Sequence, residues 1–171
     1  MACIFFIGFM ASGKSSVGNA LSALTGAFFT DMDTEIERRE NMPIHRIFSQ
    51  KGEAAFRKLE TSLLHELGEG CSEKLHIIAT GGGLPCTGNN MDYMNERGVT
   101  VYLKSSIGDI FSRIEQSRER PVFHRIGSLE GLEKLLLARE PFYSKAQLVI
   151  ENNSSVALEQ RAEQIARILR L

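Results

Sequence analysis

A chain of 171 residues with 43% hydrophobic content has the size of one domain built on one core, not two. Its 20 basic and 21 acidic residues leave a formal net charge of -1, which excludes a protein that coats nucleic acid through an overall positive field and requires any basic site to be local. No apolar run approaches the ~20 residues of a membrane span, and the first apolar stretch reaches Gly8 too soon for a signal peptide, so a cytoplasmic protein with no membrane partner is expected.

The cysteines Cys3, Cys71 and Cys86 are odd in number and widely spaced, and they read as reduced thiols. His45, His65, His76 and His124 show no ligand spacing with each other or with the cysteines, which argues against zinc.

The first apolar run, residues 3–7, reads as a buried strand. It leads directly into Gly8-Phe9-Met10-Ala11-Ser12-Gly13-Lys14-Ser15, which matches the phosphate-loop pattern G-x-x-x-x-G-K-[ST] at every fixed position. Val17, Leu21 and Leu24 then follow at helical spacing, with Gly26 as a stop. Such a loop turns successive backbone N–H groups around phosphate oxygens at the positive end of the following helix. Lys14 reaches the outer phosphates and the Ser15 hydroxyl can ligate Mg²⁺. A nucleoside triphosphate is the expected ligand.

A second strand is expected over 27–30. Asp31-Met32-Asp33 follows at once, and in an extended chain both carboxylates share a face. They suit a magnesium-side group and a group facing an alcohol, and they suit equally an acidic cap on the 34–39 segment. Residues 33–52 are charged, contain Pro43, fit the plan poorly and are candidates for a mobile part. A helix over 53–68 carries Phe56, Leu59, Leu63 and Leu67 along one face, with Arg57 beside that stripe as either a binding group or a solvated flank.

A third strand, 75–79, ends in Thr80-Gly81-Gly82-Gly83, where three glycines let a substrate approach the backbone. After a fourth strand over 99–103 come Arg113, Arg118, Arg120 and Arg125, the last three in the arginine-rich stretch 117–128, a second candidate mobile part. Arginine suits a transferring phosphoryl group, although a solvated basic stretch is the commoner fate of such runs. Arg139 precedes Glu140-Pro141-Phe142-Tyr143 and reads alternatively as a helix C-terminal charge. A fifth strand over 147–151 and a closing helix over 157–171 complete an alternating pattern. That pattern implies an α/β sandwich with a five-stranded parallel sheet between helices.

Taken in order, Gly-Phe-Met-Ala-Ser-Gly-Lys-Ser, Asp31-x-Asp33, Phe56-Arg57-x-x-Glu60, Thr80-Gly81-Gly82-Gly83, Arg120-Pro121 and Arg139-x-x-x-Tyr143 resemble the shikimate kinase family over essentially the whole chain. The resemblance implies one P-loop kinase domain over 1–171, nucleoside monophosphate kinase-like, with a substrate-binding segment at about 33–60 and a mobile lid at about 112–128. It implies transfer of the γ-phosphoryl of ATP to the 3-hydroxyl of shikimate, on the way to chorismate and the aromatic amino acids. Asp33, Lys14 and Arg120 would be catalytic. ATP would lie against Ala11, Ser12, Gly13, Lys14, Ser15, Ser16, Arg113 and Arg120. Shikimate would meet Asp33, Arg57, Gly81, Gly82, Gly83 and Arg139, and Mg²⁺ would be held by Ser15 and, through water, Asp31. A monomer is expected.

Two positions depart from many relatives. Ala11 replaces a glycine, which restricts the loop yet leaves its backbone donors in place. Asn152-Asn153-Ser154-Ser155 stands where an arginine lies against adenine, so adenine contacts are not carried over.

Rival readings are a gluconate or nucleoside monophosphate kinase of the same fold, a guanine-nucleotide switch, and a non-catalytic nucleotide-binding module. Arg57, Arg139 and the glycine triplet favour a small carboxylate as acceptor. No Asn-Lys-x-Asp sequence occurs, which disfavours the switch, and intact Lys14, Ser15 and Asp33 disfavour the non-catalytic module.

Overall fold

Every side chain of β1 (Cys3–Ile7) is buried, and their alternation divides them between two apolar clusters. Cys3, Phe5 and Ile7 join Met32, Phe56, Leu63, Leu84 and Tyr143, whereas Ile4 and Phe6 join Val17, Leu21, Ile77 and Ile165. A strand apolar on both faces belongs mid-sheet between two helical layers. The computed structural model, which describes residues 3–71, 74–116 and 128–171, has that arrangement. The strands β2 (Phe28–Asp31), β3 (His76–Ala79), β4 (Val99–Lys104) and β5 (Leu148–Glu151) complete a sheet of order β2-β3-β1-β4-β5. Every neighbouring pair is parallel.

Two helices, α1 (Lys14–Thr25) and α7 (Leu158–Leu169), cover one face. The other face is covered by α2 (Met32–Glu40), α3 (Ile44–Glu69), α4 (Asn90–Arg97), α5 (Ile107–Gln116) and α6 (Leu129–Tyr143). The expected five-stranded parallel sandwich is therefore present. Gly26 ends α1 in a left-handed conformation, its N–H donating to Ser22 O at 2.9 Å.

The segment 33–52 differs from expectation, because it is helical. Asp31 caps α2 by accepting from the Thr34 N–H at 3.1 Å, and Asn41 at φ 51 closes it. Pro43 stands immediately before the first turn of α3, where a missing N–H is harmless. Gly52, at φ 81 and ψ 166, interrupts α3 and separates its first two turns from the longer part. The apolar pattern conceals α2 because only Met32 and Ile36 of its nine residues are buried. The arginine-rich stretch, with Arg118, Arg120, Pro121 and Arg125, falls at 117–127, outside the described residues.

The cysteines also differ. Cys3 and Cys71 form a disulfide with Cα atoms 5.6 Å apart, within the usual span of such a bridge. The chain leaving α3 returns to the amino end of the central strand β1, and spacing along the sequence carries no trace of that return. Cys86 is a free, partly buried thiol. Among the described residues no helix is long and apolar enough to cross a membrane. Denatured protein kept free of reductant should therefore react with one equivalent of a maleimide, at Cys86, and with three after reduction; three equivalents before reduction would show the pair to be thiols.

Candidate active site

Parallel register brings three loops to one edge. Ala79 of β3 lies opposite Asp31 of β2 on one side and Phe6 of β1 on the other, so the chain segments that follow these residues emerge side by side. They are the 8–15 loop, Asp31 to Asp33, and Thr80 to Gly83. The carboxyl ends of adjacent parallel strands form the ligand crevice of open α/β sheets.

The loop delivers an open helix start. Gly13, at φ 89, precedes α1, no side chain caps that helix, and its first turn contains no acidic residue. Unpartnered N–H groups and the positive end of the dipole are thus left for an anion. Lys14 folds back onto the same loop, its Nζ donating to Gly8 O at 3.0 Å and Phe9 O at 2.8 Å. Burial pulls its pKa down to about 8, against the opposing pull of Asp33 and Asp31. Ser12 is fully buried and its Oγ has no partner among the described residues, while Ser15 and Ser16 are exposed at the start of α1.

The Ser15 hydroxyl donates to Asp31 Oδ2, while Asp31 Oδ1 holds the α2 cap. The capping reading of Asp31 is therefore realised, and the second oxygen of the same carboxylate stays on the phosphate-loop side. Among the described residues no group of three His, Cys, Asp or Glu could hold a metal. A hydroxyl beside a carboxylate fits Mg²⁺, which takes few protein ligands and completes its octahedron with water and phosphate oxygens.

The glycine triplet gathers the remaining groups. A Cβ placed at Gly81 would collide with Glu60 Oε1 and lie 2.9 Å from Asp33 Oδ1; one at Gly83 would lie 2.7 Å from Arg57 Cζ. One at Gly82 would lie 3.3 Å from the Met10 N of the phosphate loop and 3.6 Å from Arg139 Nη1. Asp33, Arg57, Glu60, Arg139 and the loop therefore all border three residues that lack side chains. Arg57 is held by Glu60 at 2.6 Å and Glu53 at 3.0 Å. Arg139 lies 5.7 Å from the centre of the Phe9 ring and forms no ion pair among the described residues. A crevice cation that no carboxylate pairs with directly is a ready partner for a carboxylate or phosphate.

Charges in the crevice are tuned against each other. Asp33 keeps some contact with solvent, yet enclosure of its carboxyl pushes its pKa up to about 6, opposed by Lys14 and assisted by Asp31. Glu60 is 1% exposed, and burial raises it to about 7 despite Arg57. Its Oε1 has no partner among the described residues. Two carboxyl groups that titrate near neutrality beside three cations are typical of a site built for proton and phosphoryl chemistry. A groove of about 730 Å³ lies along α3 and shares only Arg57 with the groups named above; the chemistry is located by the charged groups, not by that hollow.

Several contributors carry no signal of their role in the sequence. The phenol of buried Tyr143 donates to Gly82 O at 2.6 Å, fixing the middle of the triplet from the same face of α6 that carries Arg139, one turn earlier. Glu140 accepts from Tyr102 at 2.6 Å and pairs with Lys104 at 3.1 Å. The spacing of four between Arg139 and Tyr143 is visible in the chain, but nothing in it identifies the carbonyl that Tyr143 meets. Arg113, expected at the nucleotide, borders the phosphate loop: its Nη1 donates to Ala11 O at 3.1 Å.

An open phosphate-binding helix start, a hydroxyl–carboxylate pair suited to Mg²⁺, and a carboxylate flanked by an anion site define a P-loop phosphotransferase acting on a small anionic alcohol. Comparison with known proteins agrees. The shikimate kinase family model matches residues 10–170. A shikimate kinase of Parabacteroides distasonis is 40% identical over 159 residues, covering 88% of each chain. The crystal structure of the shikimate kinase of Bacteroides thetaiotaomicron superposes with a TM-score of 0.91 at 31% identity, covering 99% of each chain. That of Acinetobacter baumannii, in complex with shikimate, gives 0.86 at 32% identity, covering 99% of this chain and 93% of its own. The chain belongs to the shikimate kinase family.

The raised pKa of Asp33 has a stability consequence. Its folded value of about 6 exceeds the ordinary 3.8, so the folded state favours the protonated form, and the stability this gives at low pH is lost as pH rises from about 4 through 6. In ligand-free protein Asp33→Asn should therefore be more stable than wild type at pH 8, by on the order of 2 kcal/mol, and the two should converge near pH 4. A variant that melts below wild type at pH 8 would contradict the enclosure of this carboxyl.

Proposed function

We propose that this shikimate kinase transfers the γ-phosphoryl of ATP to the 3-hydroxyl of shikimate with Asp33 as the group that receives or orients the hydroxyl proton. The observation that carries the reading is the convergence of Asp33, Arg57 and Arg139 on the glycine triplet within reach of the Lys14 loop. The substrate carboxylate is taken by Arg139, which forms no ion pair among the described residues, together with Arg57. The N–H groups at Gly81, Gly82 and Gly83 border the ring. Binding at this end leaves the hydroxyls toward Asp33. The complex of the Acinetobacter baumannii relative with shikimate supports the choice of acceptor.

Triphosphate oxygens lie in the loop of Ala11, Ser12 and Gly13, with Lys14, Ser15 and Ser16 at the helix start. Lys14 leaves the carbonyls of Gly8 and Phe9 for the outer phosphates, and their negative charge returns its pKa toward the ordinary range. The 3-hydroxyl attacks the γ-phosphorus in line, the bond to the β-γ bridging oxygen breaks, and ADP departs. The hydroxyl proton passes to Asp33, which is ionised above about pH 6, or is lost to solvent from a hydroxyl that Asp33 has aligned. Ser15 and, through water, Asp31 would hold Mg²⁺, which would supply compensation of the phosphate charge. By resemblance, Arg120 and a lid at about 112–128 join the phosphates and keep water from the phosphoryl group. The substrate-binding segment is about 33–60, and the enzyme works as a monomer in the cytoplasm, where ATP is available.

A coupled assay of ADP release with ATP and Mg²⁺ should show turnover with shikimate and none with gluconate or nucleoside monophosphates; preference for either of the others would overturn the proposal. Asp33→Asn should lower kcat by roughly 10²- to 10⁴-fold with ATP affinity preserved, and an equal loss of ATP affinity would remove Asp33 from the acceptor side. Arg139→Ala should raise the shikimate KM by at least ~10-fold, as expected for loss of a charged hydrogen bond. An unchanged KM would exclude Arg139 from the carboxylate site.

A further inference from the structure

Ala11 holds φ 56, a left-handed backbone that a residue with a Cβ adopts only when its surroundings enforce it. Two groups from distant parts of the chain grip the loop there from outside. Arg113 Nη1 donates to Ala11 O at 3.1 Å, and Asn152 Nδ2 donates to Ser12 O at 2.6 Å. Asn152 follows β5, is 8% exposed, and is itself locked. Its N–H donates to Lys104 O at 2.6 Å, and its carbonyl accepts from Arg113 Nη2 at 2.9 Å and from Ser105 Oγ at 3.1 Å. A Cβ at Gly13 would lie 2.7 Å from Asn152 Nδ2, so the side chain occupies the space that glycine leaves.

A trans peptide plane directs its C=O and N–H to opposite sides, and no cis peptide occurs among the described residues. Ser12 O and the Gly13 N–H belong to one such plane. A donor that holds Ser12 O outward therefore turns the Gly13 N–H inward, toward the space where phosphate oxygens lie. We propose that Asn152 is a positioning residue for the nucleotide: its amide fixes the Ser12–Gly13 peptide so that the Gly13 N–H faces the phosphates, without touching the nucleotide itself.

The proposal rests on nucleotide binding at this loop. The two are separable, because failure of that reading would appear as absence of ATP and ADP binding in the wild-type protein. The test compares wild type with Asn152→Ala and with Asn152→Leu, which keeps the heavy-atom count and branching of the side chain and removes the donor. Mg·ADP affinity by calorimetry, both KM values, kcat and Tm are measured. The expected result is a loss of ADP affinity and a rise in ATP KM of about tenfold in both variants, as for one buried hydrogen bond, with shikimate KM within about twofold of wild type. ADP affinity unchanged in Asn152→Leu would overturn the proposal. So would a parallel rise in both KM values accompanied by a lowered Tm, the signature of a general packing defect. Should Asn152→Ala not fold, the Leu variant alone decides between these outcomes.

Discussion

The constraint on which the site depends is backbone proximity. At 81, 82 and 83 the chain passes so close to Glu60 and Asp33, to the phosphate loop, and to Arg57 that side chains at these positions would meet them. The close approach places opposite charges around one small space without neutralising all of them. Arg57 is paired, Arg139 has no ion-pair partner among the described residues, and Glu60 and Asp33 are held where ionisation is partly resisted. Such an arrangement is costly in an isolated fold, since buried charges lose hydration, and it becomes favourable when a ligand with a carboxylate at one end and hydroxyls at the other completes it.

Tyr143 shows how the rest of the molecule sustains that proximity. It is fully buried and lies 5.2 Å from the Tyr102 ring, and its phenol meets a carbonyl of the triplet. The helix that supplies Arg139 is thereby tied to the loop that Arg139 faces. Glu140 adds a further tie to β4 through Tyr102 and Lys104. The geometry of the anion site is thus set by core packing of α6 against the sheet, not by the conformation of a surface loop.

Much of this is legible in the residues. The strands announce themselves because parallel strands buried on both faces are continuous apolar runs, and the phosphate loop because its glycines and lysine stand at fixed spacing between a strand and a helix. The motif order then points to a family, which the relatives bear out. What escapes is everything decided by distance through space. The helix α2 has too few apolar residues to show a period. Cys3 and Cys71 are 68 residues apart in sequence and adjacent in the fold. Asn152 reads as one polar residue in a polar stretch, and its value comes from lying beside Ser12, 140 positions away. Of Asp31 the sequence shows neither partner, the Thr34 N–H that one oxygen caps nor the Ser15 hydroxyl that the other meets.

That double service has an outcome of its own. One oxygen of Asp31 secures the start of α2 and the other meets Ser15, so the helix that carries Asp33 begins on the residue that meets the phosphate-loop hydroxyl. Asp33 lies two residues beyond Asp31 in the first turn of that helix, so a displacement of one carboxylate carries the other with it. The phosphate loop and the segment that carries Asp33 are therefore joined mechanically, through a single turn of backbone.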